Sequence, residues 1–127
     1  MEQQVTSHFS YAELVCKCGC GRMETDPAFL AKLEDLRVAF GKPMTVTSGY
    51  RCPRHNAEVS HTGTAGPHTI GAADIAVSGE DAYTLVQLAM ACGFSGIGIK
   101  QSGDFPGRFV HLDNLPFSWP RPRIWTY

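Results

Sequence analysis

The sequence lacks long apolar runs and any excess of charge of one sign. No stretch reaches the roughly 18 apolar residues that a membrane-spanning helix needs, so we expect no membrane segment. Eleven Lys and Arg stand against twelve Asp and Glu, for a formal net charge of -1. No basic stripe is present that would neutralise phosphate groups. Nucleic acid is therefore not an expected partner.

The N-terminal stretch, residues 1–8, lacks the basic and apolar regions of a secretory signal. We therefore expect synthesis in the cytoplasm, under reducing conditions. The five cysteines are an odd number and cannot close a full disulfide framework. A length of 127 residues, with 43% hydrophobic and 18% charged residues, is typical of one globular domain spanning residues 1–127. We expect it to be a monomer.

Three helices are predicted from start and stop signals. Ser10 and Glu13 form a capping box at the start of a short helix. A longer helix follows Asp26 and ends at Gly41, and a third follows Ser78. Apolar residues recur at helical spacing in the two longer helices: Phe29, Leu33, Leu36 and Phe40 in the first, and Leu85, Leu88, Ala89 and Cys92 in the second.

Short strands are predicted between these helices, and residues 60–71, rich in Gly, Thr and Pro, are predicted to form a loop. In residues 96–99 glycine alternates with isoleucine, so one face of that strand has no side chains. We expect another group to occupy the space above this face. The fold class is α+β, a small and mostly antiparallel sheet covered by helices on one face. The predicted strands are residues 44–48, 72–77, 96–99, 109–113 and 121–127.

Two of the strands place a polar side chain opposite their apolar face. With a period of two, Asp74 and His111 point away from the side that helices would cover, and His68 in the preceding loop can reach them. Two imidazoles and one carboxylate are typical of catalytic zinc, because a fourth position stays open for water. Zinc lowers the pKa of that water from about 16 to about 7 and polarises a carbonyl. The alternative is that these histidines only hydrogen-bond to neighbours.

Three ordered motifs carry a family resemblance. Residues 47–53 (Thr-Ser-Gly-Tyr-Arg-Cys-Pro), 67–75 (Pro-His-Thr-Ile-Gly-Ala-Ala-Asp-Ile) and 109–113 (Phe-Val-His-Leu-Asp) resemble the zinc D-Ala-D-Ala carboxypeptidase family. This family of small bacterial and phage peptidases shares its fold with the hedgehog signalling domain. The resemblance covers nearly the whole chain and implies three zinc ligands, His68, Asp74 and His111.

The resemblance also implies that Arg51 receives a carboxylate of the peptide substrate, with Ser48 close by. A guanidinium offers a two-pronged donor that fits a carboxylate. The alternative is an ion pair between Arg51 and Asp113 that holds the sheet together. Tyr50 and Trp125 are candidates to line a substrate groove, although aromatic residues beside a sheet are more often part of the core.

The sequence departs from the family pattern at three points. Gly66 replaces the usual Ser two residues before the first His, and the spacing from His68 to Asp74 is one residue shorter than usual. Arg108 stands where related peptidases have a Glu or Asp that acts as general base, and arginine cannot accept a proton. Asp113 is the first candidate to replace that acid, although a role in orienting His111 or Arg51 is at least as well supported. Asp104 and His61 are the other candidates.

Four cysteines have three possible roles. Cys16, Cys18 and Cys20 alternate in a Gly-rich turn, and Cys52 follows Arg51. Buried or half-exposed thiols are the default interpretation. A disulfide formed after release into an oxidising compartment is a second, and a structural zinc site is a third, although the spacing is not the usual C-x2-C.

The sequence therefore predicts a Zn²⁺-dependent peptidase whose partner is the peptide of bacterial peptidoglycan. The cleaved bond would lie in the stem peptide or cross-link, by D,D-carboxypeptidase, D,D-endopeptidase or L-Ala-D-Glu endopeptidase action. The family also suggests a phage or prophage endolysin that acts at the cell wall or in the periplasm. The alternatives are a non-catalytic zinc-binding module of the same fold that contacts a protein partner and, less favoured, a structural phage component.

Overall fold

Five short strands form one sheet in the order β1-β2-β4-β3-β5 in the computed structural model, which describes residues 3–127. All neighbouring pairs are antiparallel except β3 and β5, which are parallel. Met1 and Glu2, part of the stretch predicted to carry no secretory signal, lie outside the described residues. The strands are β1 (Thr45–Ser48), β2 (Ala72–Ala76), β3 (Gly96–Lys100), β4 (Phe109–Asp113) and β5 (Arg123–Thr126).

In the described part of the chain four α-helices accompany the sheet, and three of them were predicted. The unpredicted helix, α3, has seven residues, and its one buried side chain is the polar Asn56. It therefore carries no apolar periodicity that would reveal it in the sequence. The helices are α1 (Tyr11–Leu14), α2 (Pro27–Phe40), α3 (Pro53–Val59) and α4 (Gly79–Ala91), and short 3-10 turns occupy Pro67–Thr69 and Phe105–Gly107.

The predicted caps are largely confirmed. The Glu13 N–H donates to the Ser10 hydroxyl, and the Ser10 N–H donates to the Glu13 carboxylate, which completes the capping box. The Asp26 carboxylate accepts from the Ala28 N–H at 3.1 Å at the start of α2. Ser78 lies at the N-cap position of α4, but its side chain makes no capping hydrogen bond.

The apolar core lies between the sheet and the two long helices. Helices α2 and α4 contact one face of the sheet, as predicted for the α+β fold. No helix within residues 3–127 has the length and apolar character needed to cross a membrane. The core side chains include Leu33 and Leu36 from α2, Leu85 from α4, and Ile75, Ile97, Val110 and Leu112 from the strands.

On the other face of the sheet, one residue from each of the five strands forms a row that includes the polar side chains of Ser48, Asp74 and His111. Neighbouring strands pair these residues one against the next. The sequence predicted that this face is open, and that expectation is wrong for its centre, because Asp74 is 9% exposed and His111 is 3% exposed. Side chains from β5 and the 3-10 turn that carries His68 cover it. The row, from β1 to β5, is Ser48, Asp74, His111, Gly98 and Trp125.

The glycines of β3 leave space that two side chains of this face use. A Cβ on Gly98 would lie 2.6 Å from the Trp125 Nε1, and a Cβ on Gly96 would overlap the Asp113 carboxylate. Both separations are too short for real carbon atoms. The prediction that the bare face of this strand provides needed space is therefore confirmed.

Substitution of Gly96 by Ala should destabilise the protein. The added methyl group must displace the buried carboxylate of Asp113 or the strand itself, so we expect the free energy of unfolding to fall by about 1–3 kcal/mol. Urea denaturation monitored by circular dichroism measures this. The matched control is Gly107→Ala, because no heavy atom lies within 4 Å of a Cβ there. Equal stability of the two variants would contradict the role of Gly96.

Candidate metal centre

His68 lies in the 3-10 turn before β2, with its ring 5% exposed. Its Nδ1 is 2.8 Å from the carbonyl oxygen of Gly49. A carbonyl only accepts hydrogen bonds, so Nδ1 carries the proton and donates it. The lone pair of His68 is therefore on Nε2, which points toward Asp74 at 3.3 Å from its Oδ1. This arrangement fixes both the tautomer and the orientation of the ring.

Asp74 and His111 are direct cross-strand partners of β2 and β4. The Asp74 Oδ1 lies 2.9 Å from the His111 Nδ1 and 3.3 Å from the His68 Nε2. A tetrahedral ion with bonds of 2.0–2.1 Å to nitrogen and oxygen would separate its ligand atoms by about 3.4 Å. The one-residue-shorter spacing between His68 and Asp74 therefore does not prevent the three donor atoms from converging as a metal site requires.

The far side of His111 contacts a buried ion pair. Its Nε2 is 2.8 Å from the Asp113 Oδ2, and the Arg121 guanidinium donates to both carboxylate oxygens of Asp113 at 2.9 Å. Asp113 is fully buried, and the Arg121 side chain is 6% exposed. With both oxygens engaged, the geometry favours the second role predicted for Asp113, the orientation of His111, over that of general base.

These contacts keep both carboxylates ionised. Burial alone would raise the pKa of Asp74, but hydrogen bonds from His111 and His68 outweigh it and hold this pKa well below its usual value. Burial likewise opposes the ionisation of Asp113, and hydrogen bonds from His111 and Arg121 lower its pKa to about 2. Both groups therefore carry negative charge at neutral pH, as a metal ligand and its supporting group must.

Arg51 follows β1 and is held beside the metal-ligand residues. Its backbone N–H donates to the His68 carbonyl at 2.9 Å, and its guanidinium donates to the Asn56 Oδ1 at 3.2 Å. Asn56 is buried. The alternative ion pair with Asp113 is wrong, because Arg121 binds that carboxylate. Within residues 3–127 no carboxylate pairs with Arg51, so its charge is available to a ligand.

The other residues predicted to bind substrate differ in their placement. Ser48 is half-buried at the sheet edge and pairs with Asp74 across β1 and β2. Tyr50 is 3% exposed and packs with cysteine side chains, which favours a core role over a groove role. Trp125 is half-buried, with its ring centroid 5.1 Å from that of His111, and it covers one side of the centre.

Arg108 points to a different part of the surface. Its Nε donates to the Gly103 carbonyl at 3.0 Å, and its guanidinium lies over the Phe105 ring at 4.3 Å from the centroid. It also lines a groove of about 630 Å³ beside α4 that includes none of the three metal-ligand residues. Asp104 and His61 are exposed.

The structure explains the Gly at position 66. A Cβ there would come within 3.2 Å of the Asn56 Nδ2 and would collide with the Thr62 hydroxyl. Asn56 also donates to the Thr62 hydroxyl and to the Gly63 carbonyl. The loop thus folds over the same asparagine that holds Arg51, which leaves no room for the serine usual at position 66.

Three residues of this site were not predicted. Arg121 and Asn56 act through buried contacts, and the sequence offers no signal that selects Arg121 over the nearby Arg123. Tyr127 packs on Phe109, with ring centroids 5.0 Å apart. Burial raises the pKa of Tyr127, a hydrogen bond with Trp125 opposes this, and the charge of Asp74 contributes a smaller increase. The aromatic character of residues 121–127 was the sequence signal that could have identified Tyr127.

Substitution of Arg121 by Ala should destabilise the protein strongly. Asp113 would remain buried and charged without its guanidinium, so we expect the free energy of unfolding to fall by roughly 3 kcal/mol. Arg123→Ala is the matched control, because Arg123 is exposed and only borders the Trp125 ring, and its loss should cost less than about 1 kcal/mol. Urea denaturation with a chelator present measures both. A cost for Arg121→Ala no larger than that of the control would contradict the proposed support of Asp113.

Comparison with known proteins identifies the family. A family model described as Peptidase M15 matches residues 7–113, which include the three converging side chains and Arg51. No curated protein matches the chain significantly. The match ends at Asp113, so Arg121, β5 and Tyr127 lie outside it. Because the matched region covers most of the chain and contains the metal-site geometry, the protein belongs to the Peptidase M15 family and is a metallopeptidase by descent.

Proposed function

We propose that the protein is a zinc metallopeptidase that hydrolyses a peptide bond in the stem peptide or cross-link of bacterial peptidoglycan. The observation that carries this proposal is the convergence of His68, Asp74 and His111 beside Arg51, whose charge no carboxylate within residues 3–127 neutralises. A metal site and an available cation side by side are suited to a peptide substrate that carries a carboxylate near the cleaved bond.

The donor set suits zinc. Two imidazole nitrogens and one carboxylate oxygen are a typical catalytic zinc set, and three protein ligands leave a further position open. When bound, zinc supplies a Lewis acid that activates water and polarises a carbonyl. The chain provides the outer hydrogen bonds that such ligands need: the Gly49 carbonyl for His68 and the Asp113 carboxylate for His111.

Arg51 orients the substrate in this proposal. Asn56 occupies one guanidinium nitrogen, which fixes the side chain while its other N–H groups remain available as donors. A bound carboxylate would fix the end of a peptide relative to the metal centre. Trimming of a terminal D-alanine, cleavage of the D,D cross-link and cleavage between L-alanine and D-glutamate all place a carboxylate near the bond, so Arg51 serves each of them.

Proton transfer needs a group other than Arg108, which points elsewhere, and other than Asp113, whose oxygens are engaged. Two of the sequence candidates, Asp104 and His61, are exposed and can accept a proton. Tyr127 is a third candidate, as a proton donor, because its ring packs on Phe109 of β4, two residues from His111. We assign the proton-transfer step to this set of three.

The proposal also covers the place where the protein acts and its biological role. Action at the bacterial cell wall or in the periplasm, and an endolysin-like role for a phage or prophage protein, are supported by the family resemblance of the three motifs. We expect the peptidase to act as a monomer on peptidoglycan peptides.

A non-catalytic zinc-binding module of the same fold is the second candidate. The observation that favours it is Arg108 at the position where related peptidases have an acid. Such a module would keep the metal site as a structural element and would contact a protein partner. It would bind zinc as tightly as the peptidase but release no peptide.

Digestion of purified peptidoglycan separates the two candidates. We expect the zinc-loaded protein to release peptides that mass spectrometry identifies, and we expect a chelator to abolish the release and added zinc to restore it. His68→Ala should abolish the release as well, because it removes one of three ligands. Zinc-loaded protein that releases nothing at any pH would support the non-catalytic module, and full activity of His68→Ala would exclude this site.

Loss of the Arg51 side chain should weaken substrate use. Removal of a charge-assisted hydrogen bond costs about 1.5–3 kcal/mol, so we expect kcat/KM of Arg51→Ala to fall roughly 10- to 150-fold. The sharper test uses a substrate in which the carboxylate nearest the cleaved bond is an amide. The wild type should lose rate on this substrate, whereas Arg51→Ala should not discriminate between acid and amide. Arg37→Ala, on α2, is the control, and equal discrimination by Arg51→Ala and the wild type would contradict carboxylate binding.

Three conservative variants identify the proton-transfer group. We expect one of Asp104→Asn, His61→Gln and Tyr127→Phe to lower kcat about 100-fold or more, with a changed pH profile and little change in zinc content. The other two serve as its controls. Full activity in all three variants would show that proton transfer does not use any of these groups.

A further inference from the structure

Four of the five cysteines gather at a second place, away from the metal centre. The Sγ atoms of Cys16 and Cys18 are 3.4 Å apart, and those of Cys18 and Cys52 are 3.7 Å apart. The Sγ atoms of all four, including Cys20, lie within 4.8 Å of one another. Cys16 and Cys52 are 2% and 3% exposed, and Cys20 lies at the surface. The fifth cysteine, Cys92, does not belong to the cluster.

The backbone around the first three cysteines forms a closed turn. The Cys16 N–H donates to the Arg22 carbonyl at 3.0 Å, and Gly19 and Gly21 have φ angles of 89° and 80°. Only glycine adopts such angles without strain. This curvature allows cysteines spaced by two residues to point toward one centre. Cys52 can then approach the same centre as a fourth residue.

Each of the four sulfurs accepts an N–H hydrogen bond. The backbone N–H groups of Cys52, Arg22 and His55 donate to the sulfurs of Cys16, Cys20 and Cys52, at 3.3, 3.5 and 3.5 Å respectively. The Arg54 guanidinium donates to the Cys18 sulfur at 3.7 Å. Hydrogen bonds to sulfur stabilise the negative charge of thiolates, and they are the outer contacts that metal-bound thiolates require.

We propose that Cys16, Cys18, Cys20 and Cys52 bind a structural zinc ion. Zinc with four bonds of 2.3 Å to sulfur in a tetrahedron separates the sulfurs by about 3.8 Å, close to the 3.4 and 3.7 Å between Cys18 and its two neighbours. Disulfides would instead divide the four sulfurs into pairs about 2 Å apart. A complete set of four thiolates leaves no position for water, so this ion is structural and not catalytic.

The zinc ion would fasten the N-terminal turn to the segment that carries the substrate-binding arginine. Cys52 is bonded to Arg51 in the chain, and the carbonyl of Gly49, three residues before Cys52, orients His68. Tyr50 packs against Cys16 and Cys52. The cysteine site therefore supports both Arg51 and His68 through the backbone of residues 49–52.

Zinc content tests the proposal directly. The full chain, purified under reducing conditions after expression with added zinc, should contain two zinc ions per molecule by mass spectrometry of the metal. Cys18→Ser should contain one, and His111→Ala should contain one, because each loses a different site. Cys92→Ser is the matched control and should retain both. His111→Ala keeps the cysteine site, so failure of the metal centre and failure of this proposal give different results.

Cobalt supplies a spectroscopic test that needs no cysteine variant. Addition of Co²⁺ to metal-free His111→Ala should produce intense sulfur-to-cobalt charge-transfer absorption in the near ultraviolet, at one Co²⁺ per chain. Added zinc should remove this absorption by displacement. This result would support the proposal even if Cys18→Ser does not fold.

Four outcomes would overturn the proposal. These are unchanged zinc content in a folded Cys18→Ser, no charge-transfer band with cobalt, iron in place of zinc in the purified protein, and an intact mass under non-reducing conditions that is lower by the hydrogen lost on disulfide formation.

Discussion

His111 is held between two buried carboxylates, and the rest of the site depends on this arrangement. Asp74 faces one ring nitrogen and Asp113 faces the other, at 2.9 and 2.8 Å. Two negative charges at these distances in a buried position would be unfavourable without compensation. Arg121 neutralises one of these charges, and a divalent ion held by His68, Asp74 and His111 would more than offset the other. Against the opposing effect of burial, the hydrogen bonds and charges of Asp113 and Asp74 also raise the pKa of His111, so the ring and its two carboxylates form one electrostatic unit.

The absence of side chains on one face of β3 leaves room for the groups that surround His111. The bare face of β3 lets Asp113 lie across Gly96 and lets Trp125 lie across Gly98 beside His111. Side chains larger than hydrogen at these positions would separate His111 from the groups of β5 that cover it. The parallel pairing of β5 with β3 then brings Trp125 into the same row as Asp74 and His111. This pairing contributes to the low exposure of His111.

Local patterns predicted the main helices and the strands, and together with the three family motifs they indicated His68, Asp74 and His111 as metal ligands. Helix caps and the alternation of apolar residues are short-range features, and the two strands with Asp74 and His111 follow a period of two that is visible in five residues. Helix α3 was missed because its buried residue is polar. The roles of Arg121 and Asn56 were missed because they depend on which residues meet after folding, and nothing near Arg121 in the chain distinguishes it from Arg123. The direction of Arg108 depends on a hydrogen bond to Gly103 that no sequence pattern indicates.

The last fourteen residues contact the centre of the site although they lie outside the family match. The family match stops at residue 113 and includes His68, Asp74, His111 and Arg51. A chain that ended at that point would keep all three sequence motifs, residues 47–53, 67–75 and 109–113. It would nevertheless lose the cation that neutralises Asp113 and the indole that shields His111. Contacts that neutralise Asp113 and cover His111 are thus supplied by a segment that lies outside the family match.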